Sequence, residues 1–400
     1  MLRGRPLAPY LGPAFLVSVG YMDPGNWATD IAGGARFGYS LLWVLLLANL
    51  MALLLQYLSA KVGLTTGLTY PQLCRLVFPR PVALFLWLTA EAAAIATDLA
   101  EFLGAALGFY LLLHIPMLPA ALITAVAVLG ILALYRFGFR VVEFVILTLV
   151  GIIGLAYVFE VSLVKPDWLA VAEGVFTPRL TGDSLVIAMG MLGATVMPHN
   201  LYLHSGVILT RRHSDPGINV HASRAALIDS VLALNLAWLV NSAMVVMAAG
   251  TFFLHGMQVD SIEDAHQTLA PLLGEAAAVV FAIALLASGL SSSTTATLAG
   301  QIIIEGFLNI RFGLLLRRLI TVIPAIVVLA LGLDAYNILI ASQVALSIQL
   351  PFAIVPLVWL TARKSVMGQQ VNAYLTTALA SLAAAVVIGL NVLLLARLAV

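Results

Sequence analysis

The chain has 400 residues, of which 62% are hydrophobic and only 9% charged, with a formal net charge of +1 and a mean hydropathy of +1.08. Soluble domains carry about 25% charged residues, so a soluble enzyme, a nucleic-acid binder and a disordered segment are all excluded. The single Cys74 excludes a disulfide framework within the chain and any thiolate metal cage.

A membrane span needs about 20 predominantly apolar residues. Read in chain order, eleven stretches meet this: about 11–35, 41–62, 82–112, 117–135, 141–163, 184–210, 225–254, 271–306, 312–332, 335–361 and 372–397. Short loops join them, so 1–400 reads as one transmembrane domain. The basic start followed by an apolar run could pass for a signal peptide. No small-x-small cleavage pattern precedes Asp23, and the expectation is a retained first helix.

With the first residues on the cytoplasmic side, fifteen of the 19 Lys and Arg fall inside and four outside, namely Arg36, Lys165, Arg179 and Arg397. That bias fixes a cytoplasmic N-terminus and a C-terminus on the opposite face. The outer loops carry Asp167, Glu173, Asp183, Asp260, Glu263, Asp264 and Asp334. They are either ordinary solvated loop residues or a field that concentrates cations at an entrance.

The first span is interrupted by Tyr21-Met22-Asp23-Pro24-Gly25-Asn26. Span six is interrupted by Met197-Pro198-His199-Asn200, with Met197 falling 174 residues after Asp23. Proline removes a backbone donor and clashes with the preceding turn, so each helix should break there. Spans one to five (about 11–163) and six to ten (about 184–361) each begin with such a break. Five is odd, so the second set enters from the opposite face, giving an inverted repeat with span eleven (about 372–397) added. Paired breaks of this kind mark the midplane substrate site of a secondary transporter.

At the breaks, Asp23 offers one carboxylate, Asn26 an amide oxygen, and Gly20 and Ala194 the carbonyls freed one turn upstream. These oxygens alone would suit Ca²⁺ or Mg²⁺. Met197 adds a soft thioether, which favours Mn²⁺, Fe²⁺ and later metals, unless it merely packs. In span ten, Gln343 either adds an oxygen or hydrogen-bonds a neighbouring helix.

Span three carries Glu91, Asp98 and Glu101 on one helical face. Intramembrane acids mark proton relays, and His199 sits beside the second break with a side chain that titrates near neutrality. Arg317 and Arg318, at the cytoplasmic start of span nine, either pair with this file or serve only the positive-inside bias. The small-residue run Ser288–Thr295 in span eight reads as close helix packing, with a sodium site as the alternative. His199 and His204 lack the intervening Glu of a zinc-protease motif.

Asp-Pro-Gly-Asn in span one, Met-Pro-His in span six and Asp98-x-x-Glu101 in span three resemble the Nramp family of divalent metal transporters. The resemblance covers essentially the whole chain and is nearest to bacterial manganese/iron members. It implies an all-α, LeuT-like 5+5 inverted repeat with helices one and six broken, in a bacterial inner membrane. It also implies proton-coupled uptake of Mn²⁺, Fe²⁺ and similar ions as substrates, with no permanently bound cofactor, no nucleic acid and no obligate protein partner. By that resemblance Asp23, Asn26, Met197 and the Ala194 carbonyl are metal ligands, joined by Gln343 in some states. Asp98, Glu101 and His199 match residues of proton transfer. Gly20 stands where many members have alanine, and the methionine argues against a magnesium-transporting branch. The rivals are an amino-acid symporter of the same architecture, a channel, and a membrane-embedded metalloenzyme. The last would need an activated water and a general base in a closed ligand set, which the sequence does not offer.

Overall fold

The computed structural model describes residues 12–212, 216–257, 259, 261–311, 313–331 and 334–398. Asp260 lies outside them. The first span is two helices, α1 (Pro13–Ser18), continued by a 3-10 turn over Val19–Met22, and α2 (Pro24–Phe37). Then come α3 (Leu42–Thr66), α4 (Tyr70–Val77), α5 (Arg80–Leu113), α6 (Met117–Ala133), α7 (Phe139–Val164) and α8 (Trp168–Phe176). Span six is again divided, into α9 (Leu185–Thr195) and α10 (Pro198–Val207). The remainder is α11 (Pro216–Thr251), α12 (Ile262–Leu273), α13 (Glu275–Leu308), α14 (Leu314–Ala330), α15 (Ala335–Thr361), α16 (Lys364–Met367) and α17 (Tyr374–Leu398).

Every expected span coincides with helix among the described residues. Among the described residues, nine helices are long and apolar enough to cross a membrane by length and composition. The broken first span and the 17-residue α14 fall short of that standard. Besides the four-residue α16, the sequence reading missed three helices between spans. The first is α4, closed by a reciprocal capping box of Thr69 and Gln72. The other two are α8, capped by Asp167, and α12, capped by Ser261. Span eight accordingly begins at Glu275 rather than near 271.

The two breaks have the same local chemistry. Asp23 (φ −72°, ψ 166°) and Met197 (φ −63°, ψ 119°) are both extended, as a residue before proline prefers. Each is the N-cap of the half-helix that its proline opens. Upstream, carbonyls lose their helical donors and find others. Tyr21 O accepts from Asn241 Nδ2 at 2.7 Å, and Met22 O accepts from Trp27 Nε1 at 3.2 Å and from Ser288 Oγ. This is how irregular backbone survives at membrane depth.

Polarity runs inside out. Leu155, Val158, Leu169 and Tyr374 are among the large side chains left bare, as lipid-facing surface should be. Asp23, Asn26, Asp98, Glu101, Gln343 and the hydroxyls of Ser291–Thr295 are buried between helices. The interior is close-packed by small residues: a Cβ at Gly289 would strike the Ala105 backbone, and one at Gly108 the Leu286 backbone, so α13 lies directly on α5. The Ser288–Thr295 run thus meets its packing expectation. Ser288 also ties α13 to the first break.

Candidate metal centre

The breaks of the first and sixth spans meet. Asp23 Oδ1 accepts from the Asn26 backbone N–H at 2.8 Å, which is the cap that starts α2. The same oxygen lies 2.6 Å from Asn26 Nδ2. That amide nitrogen is also 3.2 Å from the Ala194 carbonyl and 3.4 Å from the Gly20 carbonyl. Three oxygens from the two broken spans therefore converge on one donor, the arrangement a cation would draw around itself. A half-turn about χ2 of Asn26 would offer its Oδ1 to a cation at that point as a further oxygen.

The surrounding side chains close the shell. Asn200 Nδ2 lies 3.6 Å from Met197 Sδ, and a Cβ on Gly20 would run into the Asn200 amide. A Cβ on Gly25 would run into the Gln343 amide, so both glycines let a partner helix approach. Asp23 Oδ2, Gln343 Oε1 and Asn200 Oδ1 are buried with no hydrogen-bond partner. Asp23, Asn26, Ala194, Met197 and Gln343 are all 0% exposed. The centre is occluded, with one carboxylate, several neutral oxygens and one thioether. Such a set suits a divalent cation without the strength of a thiolate cage.

The acids of span three form a file on α5. Glu91 pairs with Arg317, and Asp98 with Arg318; the Arg318 guanidinium also sits 5.1 Å from the centre of the Phe102 ring. Ser293 Oγ reaches Asp98 Oδ1 at 3.5 Å. Glu101 is fully buried with neither oxygen partnered, and the charges facing it are those of Asp23, Asp98 and Arg318. His199 Nδ1 is 3.3 Å from Thr97 Oγ1 on α5, and its Nε2 is free of partners. A Cβ at Gly104 would collide with the Pro24 ring, so α5 rests against the break itself. The structure thus brings Glu101 and His199 close to the breaks, with Asp98 one turn before Glu101 and Glu91 further along α5, and both arginines pair with acids of the file.

Several residues here lay outside the sequence reading. Asn241 holds the break by donating to Tyr21 O and to Asn26 Oδ1, the latter at 3.3 Å. Gln56 bridges Tyr21 Oη at 2.7 Å and His204 Nδ1 at 2.9 Å. An amide inside an otherwise apolar span was the available signal for both. At the start of α1, Asp229 accepts from Gly12 N at 3.0 Å and from Ala14 N at 2.8 Å, and Glu143 pairs with Arg211 at 3.1 Å close by. These contacts latch the N-terminal end of the first half-helix.

Three of the loop acids have local structural roles. Asp167 and Asp334 cap α8 and α15, and Glu173 pairs with Arg179 at 2.6 Å. Burial pushes the Glu263 carboxyl above the usual carboxylate range. They read as helix ends and solvated pairs rather than as a built entrance.

Residues 14–397 match the family described as natural resistance-associated macrophage protein-like. A protein of Caldanaerobacter subterraneus named divalent metal cation transporter MntH is 47% identical over 389 residues, covering 96% of this chain and 92% of that protein. The Bacillus subtilis protein of the same name is 44% identical over 398 residues, covering 98% and 93%. Among solved structures, the Eremococcus coleocola manganese transporter, in complex with an aromatic bis-isothiourea compound, superposes with a TM-score of 0.88. It is 37% identical, with 97% of this chain and 86% of that chain covered. MhsT in complex with L-phenylalanine, at 14% identity and a TM-score of 0.63, shares the fold alone. The broken-helix fold is thus the LeuT-like one that the resemblance implies, and the chain belongs to the Nramp family.

Proposed function

We infer that the protein is a transporter, not an enzyme, and that it carries divalent metal cations across the membrane. The observation that carries this reading is the convergence of Asp23 Oδ1, Gly20 O and Ala194 O on one buried point, with the Met197 thioether alongside. Asp23, Asn26, Met197 and the Gly20 and Ala194 carbonyls hold the ion, with Gln343 entering the shell as α15 moves. The thioether favours Mn²⁺ and Fe²⁺ over Ca²⁺ and Mg²⁺. An amino-acid symporter on this fold would bring a substrate carboxylate against Asp23, which repels it.

Metal movement is coupled to protons. Binding of a dication beside Asp23 drives its proton toward Glu101, Asp98 and His199, with Glu91, Arg317 and Arg318 setting the field along α5. The chain works as one domain of two inverted repeats, about 11–163 and 184–361, with a further helix at about 372–397. It lies in a bacterial inner membrane with eleven spans, a cytoplasmic N-terminus and a C-terminus outside. It needs lipid but no cofactor, nucleic acid or protein partner.

Uptake into proteoliposomes tests this reading. Mn²⁺, Mg²⁺ and an amino acid are offered with and without an inward proton gradient. Mn²⁺ entry accelerated by the gradient is expected; entry of the amino acid with Mn²⁺ excluded would overturn the assignment.

A further inference from the structure

The largest unexplained polarity in the interior lies on the other side of the metal centre from Glu91 and the two arginines. Asp30 follows Asp23 by seven residues on α2, about 10 Å further along the helix. Glu160 lies near the C-terminal end of α7, and Tyr157 one turn before it. Asp30 and Glu160 are 0% exposed and Tyr157 1%. All four carboxylate oxygens and the Tyr157 hydroxyl are buried without a hydrogen-bond partner. Tyr157 ties the elements together: its ring packs edge-on against Trp27 of α2 at 5.1 Å between centres, and both Asp30 and Glu160 act on it electrostatically. The only charges bearing on the three groups, among the described residues, are each other's and that of Asp23. No Lys, Arg or His of the packed helices contributes, and the nearest phenol on α15, Tyr336, is turned to the Ala28 carbonyl.

An ionised carboxylate with no cation and no donor is prohibitively costly at such depth, and the group neutralises instead. A merely structural pair would have donors, as Asp229 and Glu143 do. We propose that Asp30, Tyr157 and Glu160 form a second proton-holding site on the far side of the metal centre, with both carboxyls kept as neutral acids while the centre is empty. The buried Tyr157 hydroxyl lies within electrostatic reach of both carboxyls. Resting on the metal reading above, a dication at Asp23 then favours ionisation of Asp30, so the site discharges protons as the metal binds. The α5 file would be one of two places from which protons leave.

Infrared difference spectroscopy tests the first half with no metal present. Wild-type protein at neutral pH should show carbonyl bands of protonated carboxyls. Asp30→Asn and Glu160→Gln, which mimic the neutral acids in shape, should each remove one such band and leave the thermal midpoint within a few degrees. Tyr157→Phe should shift the bands that remain. Should Asp30→Asn fail to fold, Glu160→Gln and Tyr157→Phe carry the test alone. Spectra unchanged by these substitutions would overturn the proposal. Counting Mn²⁺ per protein by equilibrium dialysis makes the second arm. Glu160→Gln should bind Mn²⁺ with wild-type stoichiometry while releasing fewer protons per ion. A second bound Mn²⁺ in the wild type that Glu160→Gln abolishes would mean that the pair holds metal, and would equally overturn it.

Discussion

The buried Asp98–Arg318 pair decides how the α5 file can be probed. Both side chains are essentially sealed from solvent, at 2% and 1% exposure, and Arg318 keeps two nitrogens without partners even when paired. Asp98→Asn therefore does more than remove a titratable group, because it strands a guanidinium in a medium of low polarity. Breaking a buried pair from one side costs about 3–5 kcal/mol, whereas replacing both partners with well-fitting neutral groups is often near neutral. The expected result is a large fall in thermal stability for Asp98→Asn in detergent, and for Arg318→Met likewise. The double variant should recover to within about 1–2 kcal/mol of wild type. Proteoliposomes loaded with a pH dye then separate folding from coupling. In the double variant Mn²⁺ uptake should persist while metal-driven acidification of the lumen drops several-fold. A stable Asp98→Asn single variant would refute the ion pair, and an unchanged proton-to-metal ratio in the double variant would refute its part in the relay.

Other substitutions read other parts of the site. Glu101→Gln replaces an acid that has no partner with an amide of its own size, so it should fold normally and slow proton flux about tenfold or more, measured beside Mn²⁺ uptake. Met197→Ala should leave an oxygen-only shell that passes Mn²⁺ but rejects Ca²⁺ and Mg²⁺ poorly; unchanged rejection in a competition assay would mean that Met197 only packs. Gly104→Val should push α5 off Pro24 and destabilise the protein by about 1–3 kcal/mol through overpacking, visible as a lowered melting midpoint. Asp229→Ala removes the acceptor for two backbone donors at the start of α1. It should cost about 1–2 kcal/mol and raise labelling of a cysteine placed in the first turn of α1. Labelling at the wild-type rate would show that the latch does not hold that end shut.

The two prolines made the fold legible. A proline in the middle of an apolar span has one physical consequence, and finding two of them at the same depth of two five-span sets implied both the inverted repeat and the place of the site. Asp23, Asn26, Gly20 and Ala194 follow from that, since a break frees carbonyls at a fixed distance upstream. The spacing of Glu91, Asp98 and Glu101 was equally plain, because a helix puts them on one face. What sequence could not supply was pairing across helices. Whether Arg317 and Arg318 met the acids depended on how α14 lies against α5, which no local pattern encodes. Asn241 and Gln56 were visible as amides in apolar runs, yet their partners are backbone and side chains on other helices. Asp30 was in plain sight seven residues beyond Asp23, but its meaning needed Glu160 and Tyr157 from α7 to arrive beside it. The helices α4, α8 and α12 were missed because their signals are caps of one or two residues, too local to register against long apolar periodicity, and α16 because it is a single turn.

The central claim is that one buried carboxylate, Asp23, anchors the transported metal. Asp23→Asn tests it best, since asparagine also caps a helix and keeps the turn into α2 intact. Two unit charges about 4 Å apart attract by roughly 4 kcal/mol in a partly polar interior, and a dication doubles this. After desolvation is set against that gain, a net loss of at least about 3 kcal/mol, or roughly 100-fold in affinity, remains. Calorimetric titration of purified Asp23→Asn with Mn²⁺ should show binding weakened by at least that factor in a protein that melts as the wild type does. Wild-type affinity in a folded Asp23→Asn protein would place the metal elsewhere and contradict the account.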